Sequence, residues 1–398
     1  MSKISSSPTL KGLLAAERLR RAGADVVDLG AGEPDFATPE HVKAAAVEAI
    51  AANFTRYTPN AGVADLRDAI RARYREDYGV EYAPNEVIAS AGGKQALANA
   101  MLALFGPGDE VVVHAPGWPS IVEQVKLAEA TPVTVRTDAS DGFALGAGQI
   151  LAAVTPRTRG IVINSPGNPT GALMAESALA EVADEAARRG IWIVLDLCYE
   201  KLIYDPQPHN LAGILAARHR DRSVLTGSAS KTYAMTGWRC GWALGPAEVV
   251  SACGALQSHM TSNVCSITQR AAIAALTGPQ ACVDAMREEY RARRDDIWTW
   301  LTADPRIRCV KPAGAFYLYI DISALLSADG YPTSAAFSDA LIEEAHVVTT
   351  PGEAFDAPGF LRISYATSTA MLREAADRIG AFVGALDQKR SVATSGER

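Results

Sequence analysis

The sequence lacks the features of a membrane, secreted or nucleic-acid-binding protein. Its six cysteines include no C-x-x-C pair, so neither a zinc site nor a disulfide framework is predicted. No apolar run approaches the ~18 residues of a membrane span, and the first residues have no apolar core like that of a signal peptide. The net charge of −7 and the absence of a phosphate-binding lysine and arginine stripe argue against a nucleic-acid partner. We expect a cytoplasmic protein that binds no metal, membrane or nucleic acid.

Strand–helix alternation dominates the middle of the 398-residue chain. Short β-branched runs fall at residues 87–89, 110–113, 131–135, 160–163, 191–195 and 223–225. Between them lie alanine-rich stretches such as 94–104 and 175–188, whose apolar residues recur at helical spacing. This alternation predicts an α/β fold with a mostly parallel sheet covered by helices on both faces. In such sheets ligands bind beyond the carboxyl ends of the strands, so the residues that follow the strands are candidates for a site.

The regular alternation of predicted strands and helices ends at about residue 280. A long charged helix is predicted at residues 284–301, and after it come a hairpin-like apolar segment, two more helices and two short strands. We therefore predict a smaller α+β domain at residues 286–390 beside a large domain at 46–285, with the amino-terminal segment 1–45 joining the small domain. The polar tail 391–398 is predicted to be disordered.

Two glycine-rich segments follow predicted strands. Residues 91–96 contain a Gly-Gly-Lys turn at the start of a helix, where free backbone N–H groups favour an anion such as phosphate. A tight turn without a ligand explains this segment equally well. Residues 164–171 hold two prolines and two glycines, which constrain the backbone to turns and leave Asn168 at the sheet edge. So many conformationally restricted residues within eight positions favour a binding site over a simple turn.

Lys231 and Asp196 are the candidate catalytic side chains. Lys231 follows a predicted strand, lies among hydroxyl residues and is followed eight residues later by Arg239. A lysine amine whose pKa is lowered by its surroundings can attack an aldehyde, and the hydroxyls and guanidinium could bind a phosphate dianion. Asp196 ends the apolar run 191–195, where a carboxylate could hold a heterocyclic nitrogen protonated. Taken singly, Lys231 could be a surface lysine and Asp196 a turn cap.

Five segments recur together in the order and approximate spacing of one known family. They are residues 32–36, 164–171, 230–232, 237–239 and 362–366. On these segments the chain resembles the class I aminotransferases of the aspartate aminotransferase fold, from about residue 7 to 386, and it is most similar to the bacterial-type aspartate aminotransferases. The resemblance implies a large domain with a seven-stranded sheet, pyridoxal 5'-phosphate as the cofactor, and a homodimer whose subunits share active sites.

The resemblance also implies roles for individual residues towards the cofactor. Lys231 would form the Schiff base and move the proton released from the substrate. Asp196 would pair with the pyridine nitrogen, Tyr199 and Asn168 would contact the 3-oxygen of the ring, and Trp118 would stack on the ring. The groups that would hold the phosphate belong to Gly92, Gly93, Lys94, Ser228, Ser230 and Arg239, with Tyr57 reaching the phosphate of the neighbouring subunit.

A second set of residues is implied for the substrate. Its members are Gly32, Lys94, Trp118, Asn168 and Arg362. Arg362 would bind the substrate α-carboxylate as a bidentate fork, and the backbone N–H of Gly32 would meet the same carboxylate. Lys94, with Ser7 and Thr9, stands where a distal carboxylate of the substrate would bind. Lys94 could instead serve only the phosphate.

The sequence departs from the family pattern at three places near the substrate. Leu197 and Cys198 replace an acidic or polar pair, and Gly167 replaces the first residue of an Asn-Asn pair. Gly117 replaces the aromatic residue that often precedes the stacking position. These departures bear on specificity more than on the class of reaction.

The predicted function is transfer of an amino group between an L-amino acid and a 2-oxo acid by a ping-pong mechanism. Aspartate, glutamate or a related acid is the expected donor. A β-eliminating lyase is the alternative, because the same fold, lysine and aspartate serve both reactions. A cofactor-sensing regulator is a further alternative. Such regulators carry an added DNA-binding segment ahead of the family pattern. Because the pattern begins within the first ten residues here, we expect no such segment.

Overall fold

The structure is a computed structural model that describes residues 9–204, 209–327 and 330–395. Its strands are β1 Val27–Asp28, β2 Val87–Ser90, β3 Glu110–Ala115, β4 Thr131–Arg136, β5 Thr158–Asn164, β6 Trp192–Asp196, β7 Ser223–Ser228, β8 Gly241–Leu244, β9 Arg308–Cys309, β10 Tyr317–Asp321, β11 Val347–Val348, β12 Thr350–Pro351 and β13 Phe360–Ser364. Its α-helices are α1 Thr9–Arg21, α2 Glu40–Ala51, α3 Ala64–Tyr78, α4 Gly93–Leu104, α5 Pro119–Leu127, α6 Ala147–Ala152, α7 Glu176–Arg189, α8 Leu211–Arg218, α9 Ala229–Thr232, α10 Ala247–Met260, α11 Ser266–Thr277, α12 Ala281–Leu301, α13 Ser334–Ala345 and α14 Thr369–Ser395.

A seven-stranded sheet forms the centre of the molecule, in the strand order β2-β8-β7-β6-β5-β3-β4. Neighbouring strands from β7 through β6, β5 and β3 to β4 run parallel. The exception is β8, which pairs antiparallel with both β2 and β7. The predicted α/β class and mostly parallel sheet are confirmed.

The central strands are buried on both faces, as their nearly continuous apolar sequences predict. Ile161 and Ile163 of β5 belong to one hydrophobic cluster, whereas Val162 between them belongs to another. Successive side chains of a strand point to opposite faces of the sheet. Both faces of β5 are therefore covered by helices, which leaves the strand ends as the places where polar side chains can meet a ligand.

Helix α7 illustrates how the covering helices follow from the sequence. Its buried residues Leu179, Val182, Ala183 and Ala186 recur at helical spacing and form the stripe that packs on the sheet. The helix ends at Gly190, which adopts a left-handed conformation with φ 65°. Glycine reaches this conformation without the steric cost that a Cβ atom would add.

The second part of the molecule is built from both ends of the chain. A four-stranded antiparallel sheet has the order β12-β13-β10-β9, and β1 pairs parallel with β11. One hydrophobic cluster combines Leu29 with Phe316, Leu341, Ile363 and Ile379. This shared core supports a small domain that contains both the amino-terminal segment and the carboxyl-terminal third. The boundaries at 45 and 285 stay a prediction.

The carboxyl-terminal helix is longer than the sequence suggested. Helix α14 continues to Ser395, into the 391–398 segment for which disorder was predicted, and residues 396–398 lie outside the described residues. Ser7, expected near the substrate, also lies outside them. No helix in the described ranges is long and apolar enough to cross a lipid bilayer.

Candidate active site

A cavity of about 1120 Å³ opens where the carboxyl ends of the parallel strands meet the smaller body of the protein. The predicted site residues that line it are Gly32, Gly93, Lys94, Trp118, Asn168, Asp196, Tyr199, Ser228, Ser230, Lys231, Arg239 and Arg362. The strand ends gather residues that are far apart in the sequence, as parallel topology requires. Gly92 adjoins this lining, whereas Tyr57 takes no part in it.

Lys231 places a primary amine inside the cavity. It lies in the short helix α9, directly after β7, and its Nζ donates a hydrogen bond to the carbonyl oxygen of Gly32. Burial lowers the pKa of Lys231 below its usual value; Cys198 and Glu33 partly oppose this shift, while Arg362 and Arg239 act in the same direction as burial. A lower pKa raises the fraction of neutral amine, which is the nucleophilic form.

Asp196 presents a buried carboxylate at the end of β6. Its Oδ1 accepts the backbone N–H of Cys198 at 3.1 Å, and its Oδ2 accepts the side-chain amide of Asn164 at 3.2 Å. Burial raises the pKa of Asp196 to about 6, and the hydrogen bond from the Cys198 backbone partly opposes that rise. No lysine or arginine in the described ranges forms an ion pair with this carboxylate. A cationic ligand group would therefore be strongly favoured beside it.

The start of α4 and the neighbouring turn form a cradle for an anion. Gly92, with φ 89°, precedes α4, and a Cβ atom there would lie 2.5 Å from Nη2 of Arg239. At Gly241 a Cβ atom would lie 2.2 Å from the backbone nitrogen of Gly93. Glycine is favoured at position 92 because of its positive φ, and at position 241 because the backbone of residues 92 and 93 approaches so closely. Free N–H groups at the helix start, together with Arg239, favour a phosphate-like anion.

Two serines complete this cradle on the β7 side. The hydroxyl of Ser228 donates to the hydroxyl of Ser230 at 2.8 Å and accepts the backbone N–H of Ser230 at 3.0 Å. Ser228 thereby caps α9, the helix that carries Lys231. The same two residues supply hydroxyl groups next to the cradle.

Arg362 lines the cavity from β13. It is buried in β13, and its guanidinium donates to Oδ1 of Asn168 at 3.0 Å and to the carbonyl oxygen of Gly30 at 2.8 Å. Its Nε atom is buried and has no hydrogen-bond partner among the described residues. A buried donor without a partner is costly, so the site is prepared for an acceptor such as a carboxylate.

Tyr317 is a site residue that the motifs did not reveal. Its hydroxyl group lies 2.8 Å from the hydroxyl group of Tyr199, and the centroid of its ring lies 4.4 Å from the Arg362 guanidinium carbon. A Cβ atom at Gly32 would lie 2.7 Å from the Tyr317 hydroxyl oxygen. Only an aromatic position in the hairpin-like segment near residue 317 signalled it in the sequence. Tyr199 and Gly32 lie far from it along the chain.

Trp118 and Lys94 lie next to each other in the lining of the cavity. The Nζ of Lys94 lies 5.1 Å from the centroid of the Trp118 ring. Partial burial lowers the pKa of Lys94, and Arg239 lowers it further. Lys94 forms no ion pair with an acidic side chain in the described part of the chain. The site thus holds a cation that a second acidic group of a ligand could reach.

The three departures from the family pattern have distinct structural settings. At Gly117 a Cβ atom would lie 2.2 Å from the carbonyl oxygen of His114, so this backbone has no room for an aromatic side chain. Gly167 is tight as well, because a Cβ atom there would lie 3.2 Å from Oγ1 of Thr170. Cys198 lines the cavity, and burial raises its pKa to about 12, so its thiol stays protonated.

Comparison with known proteins supports one family throughout. The family model described as aminotransferase class I and II matches residues 24–379. The chain is 42% identical over 392 residues to an aspartate/prephenate aminotransferase of Cereibacter sphaeroides, covering 97% of this chain and 98% of that protein. It is 41% identical over 385 residues to an aspartate aminotransferase of Geobacillus stearothermophilus, covering 97% of this chain and 98% of that protein.

Solved structures agree with these sequence matches. The aspartate aminotransferase of Rhizobium meliloti superposes with a TM-score of 0.91 at 40% identity, covering 96% of this chain and 97% of that one. The Thermus thermophilus aspartate aminotransferase with maleate superposes with a TM-score of 0.90 at 39% identity, covering 96% and 98%. A cavity that holds an amine, a carboxylate, an anion cradle and a guanidinium is thus set in a chain that matches this family along nearly its whole length. The chain belongs to the aminotransferase class I and II family and is an aminotransferase.

Proposed function

We propose that the enzyme uses pyridoxal 5'-phosphate to move an amino group between an acidic L-amino acid and a 2-oxo acid in a ping-pong reaction. The observation that carries the proposal is the cavity in which the Lys231 amine, the Asp196 carboxylate and the anion cradle lie together. When bound, the cofactor supplies a ring that accepts the electron pair left on the substrate Cα. The protein supplies binding, orientation and proton transfer.

The residues of the cavity fit this cofactor on physical grounds. The cradle of Gly92, Gly93 and Arg239 suits a phosphate, because it combines free backbone N–H groups with a guanidinium. Asp196, buried and without a cationic partner among the described residues, suits a protonated ring nitrogen. The complete set of proposed cofactor ligands is Tyr57, Gly92, Gly93, Lys94, Trp118, Asn168, Asp196, Tyr199, Ser228, Ser230, Lys231 and Arg239.

Lys231 is the proposed proton carrier as well as the point of attachment. Its pKa, lowered mainly by burial, allows Nζ to be neutral and to take the proton from the substrate Cα. Arg362 would hold the α-carboxylate with its guanidinium, and the backbone N–H of Gly32 would assist. Tyr199 and Asn168 would orient the ring. They are themselves held by hydrogen bonds, Tyr199 to Tyr317 and Asn168 to Arg362.

A donor-by-acceptor screen of the purified protein tests the proposed reaction. Half-reactions followed by absorbance should show that an amino acid converts the enzyme to its amino form and that only a 2-oxo acid restores it. Release of pyruvate and ammonia from a β-substituted amino acid, without any need for an acceptor, would indicate the lyase alternative instead.

We predict that Lys94 selects acidic substrates. The relatives are named for aspartate or for aspartate and prephenate, and Lys94 is a cation beside Trp118 without an ion-pair partner in the described ranges. Lys94→Ala should weaken the binding of four acidic substrates by ~1–3 kcal/mol, as expected for a lost charge-assisted hydrogen bond. These substrates are glutamate, aspartate, 2-oxoglutarate and oxaloacetate. Alanine as a donor should be unaffected, as measured by kcat/KM for each donor.

The control for this prediction is Lys311→Ala. Lys311 pairs with Asp295 at 3.0 Å on the surface, outside the cavity lining, and this variant should leave every donor unchanged. Equal losses for acidic and neutral donors in Lys94→Ala, at saturating cofactor, would show that Lys94 serves only the cofactor phosphate and does not select the substrate. Thr9, which was expected to assist Lys94, is the first residue of α1.

We also propose that the enzyme is a homodimer with shared sites. Tyr57 is 92% exposed in the single chain and lies outside the cavity. Val47 and Ile50 of α2 and Met260 at the end of α10 are further exposed apolar side chains. A contiguous exposed apolar patch marks an interface with a partner, and we propose that these side chains form such a patch. A second subunit would cover it and bring Tyr57 to the partner's phosphate site.

Subunit mixing tests the shared sites. A Tyr57→Phe chain combined with a Lys231→Ala chain should form hybrids that carry one intact site and one site with both lesions. Activity should then rise above that of both parents. The control hybrid joins the wild-type chain to a chain that carries both substitutions, and it contains no intact site. If the first mixture gains nothing over its parents, the sites are not shared.

We infer a cytoplasmic location from the chemistry of the cysteines. All six cysteines are free thiols, and Cys240 and Cys253 are buried. Free thiols persist in the reducing cytoplasm, whereas secreted proteins commonly form disulfides.

A further inference from the structure

Strands β3 and β5 separate just before they reach the active-site cavity. Their pairing ends at Val112 and Ile161. Beyond that point β3 remains paired with β4 as far as Ala115, and β5 remains paired with β6 as far as Asn164. The sheet therefore opens at the edge that faces the cavity. The side chain of His114 lies in this opening and lines the cavity together with Asn164.

The side chain of His114 accepts a hydrogen bond from β5 at a point where the backbone of β3 no longer pairs with β5. The backbone N–H of Asn164 donates to Nε2 of His114 at 3.4 Å. Because a backbone amide only donates, Nε2 must carry a lone pair and the ring must be neutral. The second ring nitrogen then carries the proton, and the backbone of Pro116 is the partner of the imidazole. Burial lowers the pKa of His114 to about 4, which is consistent with a neutral ring.

The side chain of Asn164 forms hydrogen bonds with two proposed cofactor ligands, Asp196 and Asn168. Its side-chain nitrogen donates to Oδ2 of Asp196 at 3.2 Å, and its Oδ1 accepts the backbone N–H of Asn168 at 2.9 Å. The side chain of Asn164 can hold Asp196 and Asn168 in fixed positions only if the backbone of Asn164 is itself fixed by a hydrogen bond. On the β3 side, that hold comes from His114.

The other end of the same imidazole reaches the turn that carries Trp118. Residues 114–117 fold back so tightly that a Cβ atom at Gly117 would lie 2.2 Å from the carbonyl oxygen of His114. Trp118 follows immediately and is the N-cap residue of α5. Gly117 and His114 thus act as one unit, in which the glycine allows the turn and the imidazole ties it to β5.

We propose that His114 is a positioning residue that joins the turn carrying Trp118 to Asn164, and through Asn164 holds Asp196 and Asn168 in the orientation needed by the cofactor ring. The proposal rests on the proposed function, because it concerns ligands of pyridoxal 5'-phosphate. His114 need not touch the cofactor or the reacting atoms. Its effect passes through a hydrogen bond to a backbone N–H that would otherwise be unpaired.

Three substitutions separate the parts of this role. His114→Gln can place an acceptor near the position of Nε2, His114→Asn can reach only the position of the nearer ring nitrogen, and His114→Phe keeps a ring without hydrogen-bonding groups. The dissociation constant for pyridoxal 5'-phosphate should rise about tenfold in the Phe and Asn variants. It should return close to the wild-type value in the Gln variant, which a purely space-filling role does not predict.

His219→Phe is the matched control. His219 is buried, whereas His114 is partly buried, and the Nε2 of His219 is bonded to the carbonyl oxygen of Ile191 at 2.7 Å, at the amino end of β6 and away from the cavity. This variant should lower the melting temperature without changing the dissociation constant of the cofactor. Comparison of the two sets therefore separates a loss of stability from a loss of positioning.

A second measurement uses the protein without its cofactor. In a protein labelled with ¹⁵N-histidine, the His114 ring, assigned by its disappearance in the Gln variant, should remain neutral with one fixed tautomer between pH 5 and pH 8. A ring that titrates near pH 6.5, or a Phe variant that binds the cofactor as tightly as the wild type, would overturn the role of His114. Failure of the wild-type protein to bind the cofactor would overturn the proposed function itself.

Discussion

Replacing Lys231 with alanine is expected to abolish turnover while leaving cofactor binding through the phosphate cradle. Among the described lysines only Lys231 and Lys94 line the cavity, and the pKa of Lys231 is lowered mainly by burial. Without Lys231, the protein loses both the point of attachment and the group that moves the proton at the substrate Cα. Steady-state assays and cofactor titration by absorbance measure the two effects separately.

The attachment itself can be mapped chemically. The purified protein should be yellow, and borohydride reduction followed by peptide mapping should place the cofactor label on Lys231. The Lys231→Ala variant should carry no label, whereas Lys43→Ala, a surface variant on α2, should be labelled as the wild type is. Label on Lys94 or Lys201 would contradict the assignment. Lys201 is an informative comparison because its amine is already paired with Asp77 at 2.6 Å.

Replacing Asp196 with alanine should slow the half-reaction by several orders of magnitude. The carboxylate is buried at the end of β6, oriented by Cys198 and Asn164, and has no cationic partner in the described ranges. Its charge is expected to keep the ring nitrogen protonated, which stabilises the negative charge that develops as the substrate Cα loses its proton. At ~1.4 kcal/mol per tenfold change in rate, a thousandfold loss corresponds to about 4 kcal/mol.

Asp196→Asn distinguishes the charge of this residue from its shape. Asparagine keeps the size of the side chain and an oxygen that can accept the Cys198 N–H, but it carries no charge, and its NH2 group would face the donating amide of Asn164. A loss much smaller than that of Asp196→Ala would show that the negative charge is not needed. Single-turnover absorbance measurements at saturating cofactor give the rate. A decrease below tenfold in both variants, with the cofactor fully bound, would contradict the proposed role.

The sheet and its covering helices could be predicted because their signals are local. The β-branched runs at residues 160–163 and 191–195 became β5 and β6, and the helical spacing within 175–188 became α7. A parallel sheet buried on both faces needs apolar strands, and those strands are visible in the sequence without knowledge of their neighbours. The carboxyl-terminal boundary was harder to judge, since helix α14 runs to Ser395.

The sequence also indicated the catalytic candidates, whose roles stay a prediction. Lys231 and Arg362 lie in short motifs that occur in the order of the family, whereas Asp196 is marked by its place at the end of the apolar run 191–195. Parallel topology then brings the residues that follow β5, β6 and β7 to one edge of the sheet. Tyr57 could not be placed in the same way. The family resemblance implies a role for it at the phosphate, but its proposed surroundings depend on a second subunit.

The sequence alone determined the order of strands and helices, the family and the candidate catalytic groups, because these depend on periodicity and on motifs that are contiguous along the chain. The tertiary structure alone decided which distant side chains meet. Tyr317 faces Tyr199, and His114 bonds to Asn164 at the point where β3 and β5 separate. Such contacts follow from strand register and from the tight packing of buried groups, and neither leaves a local pattern in the sequence.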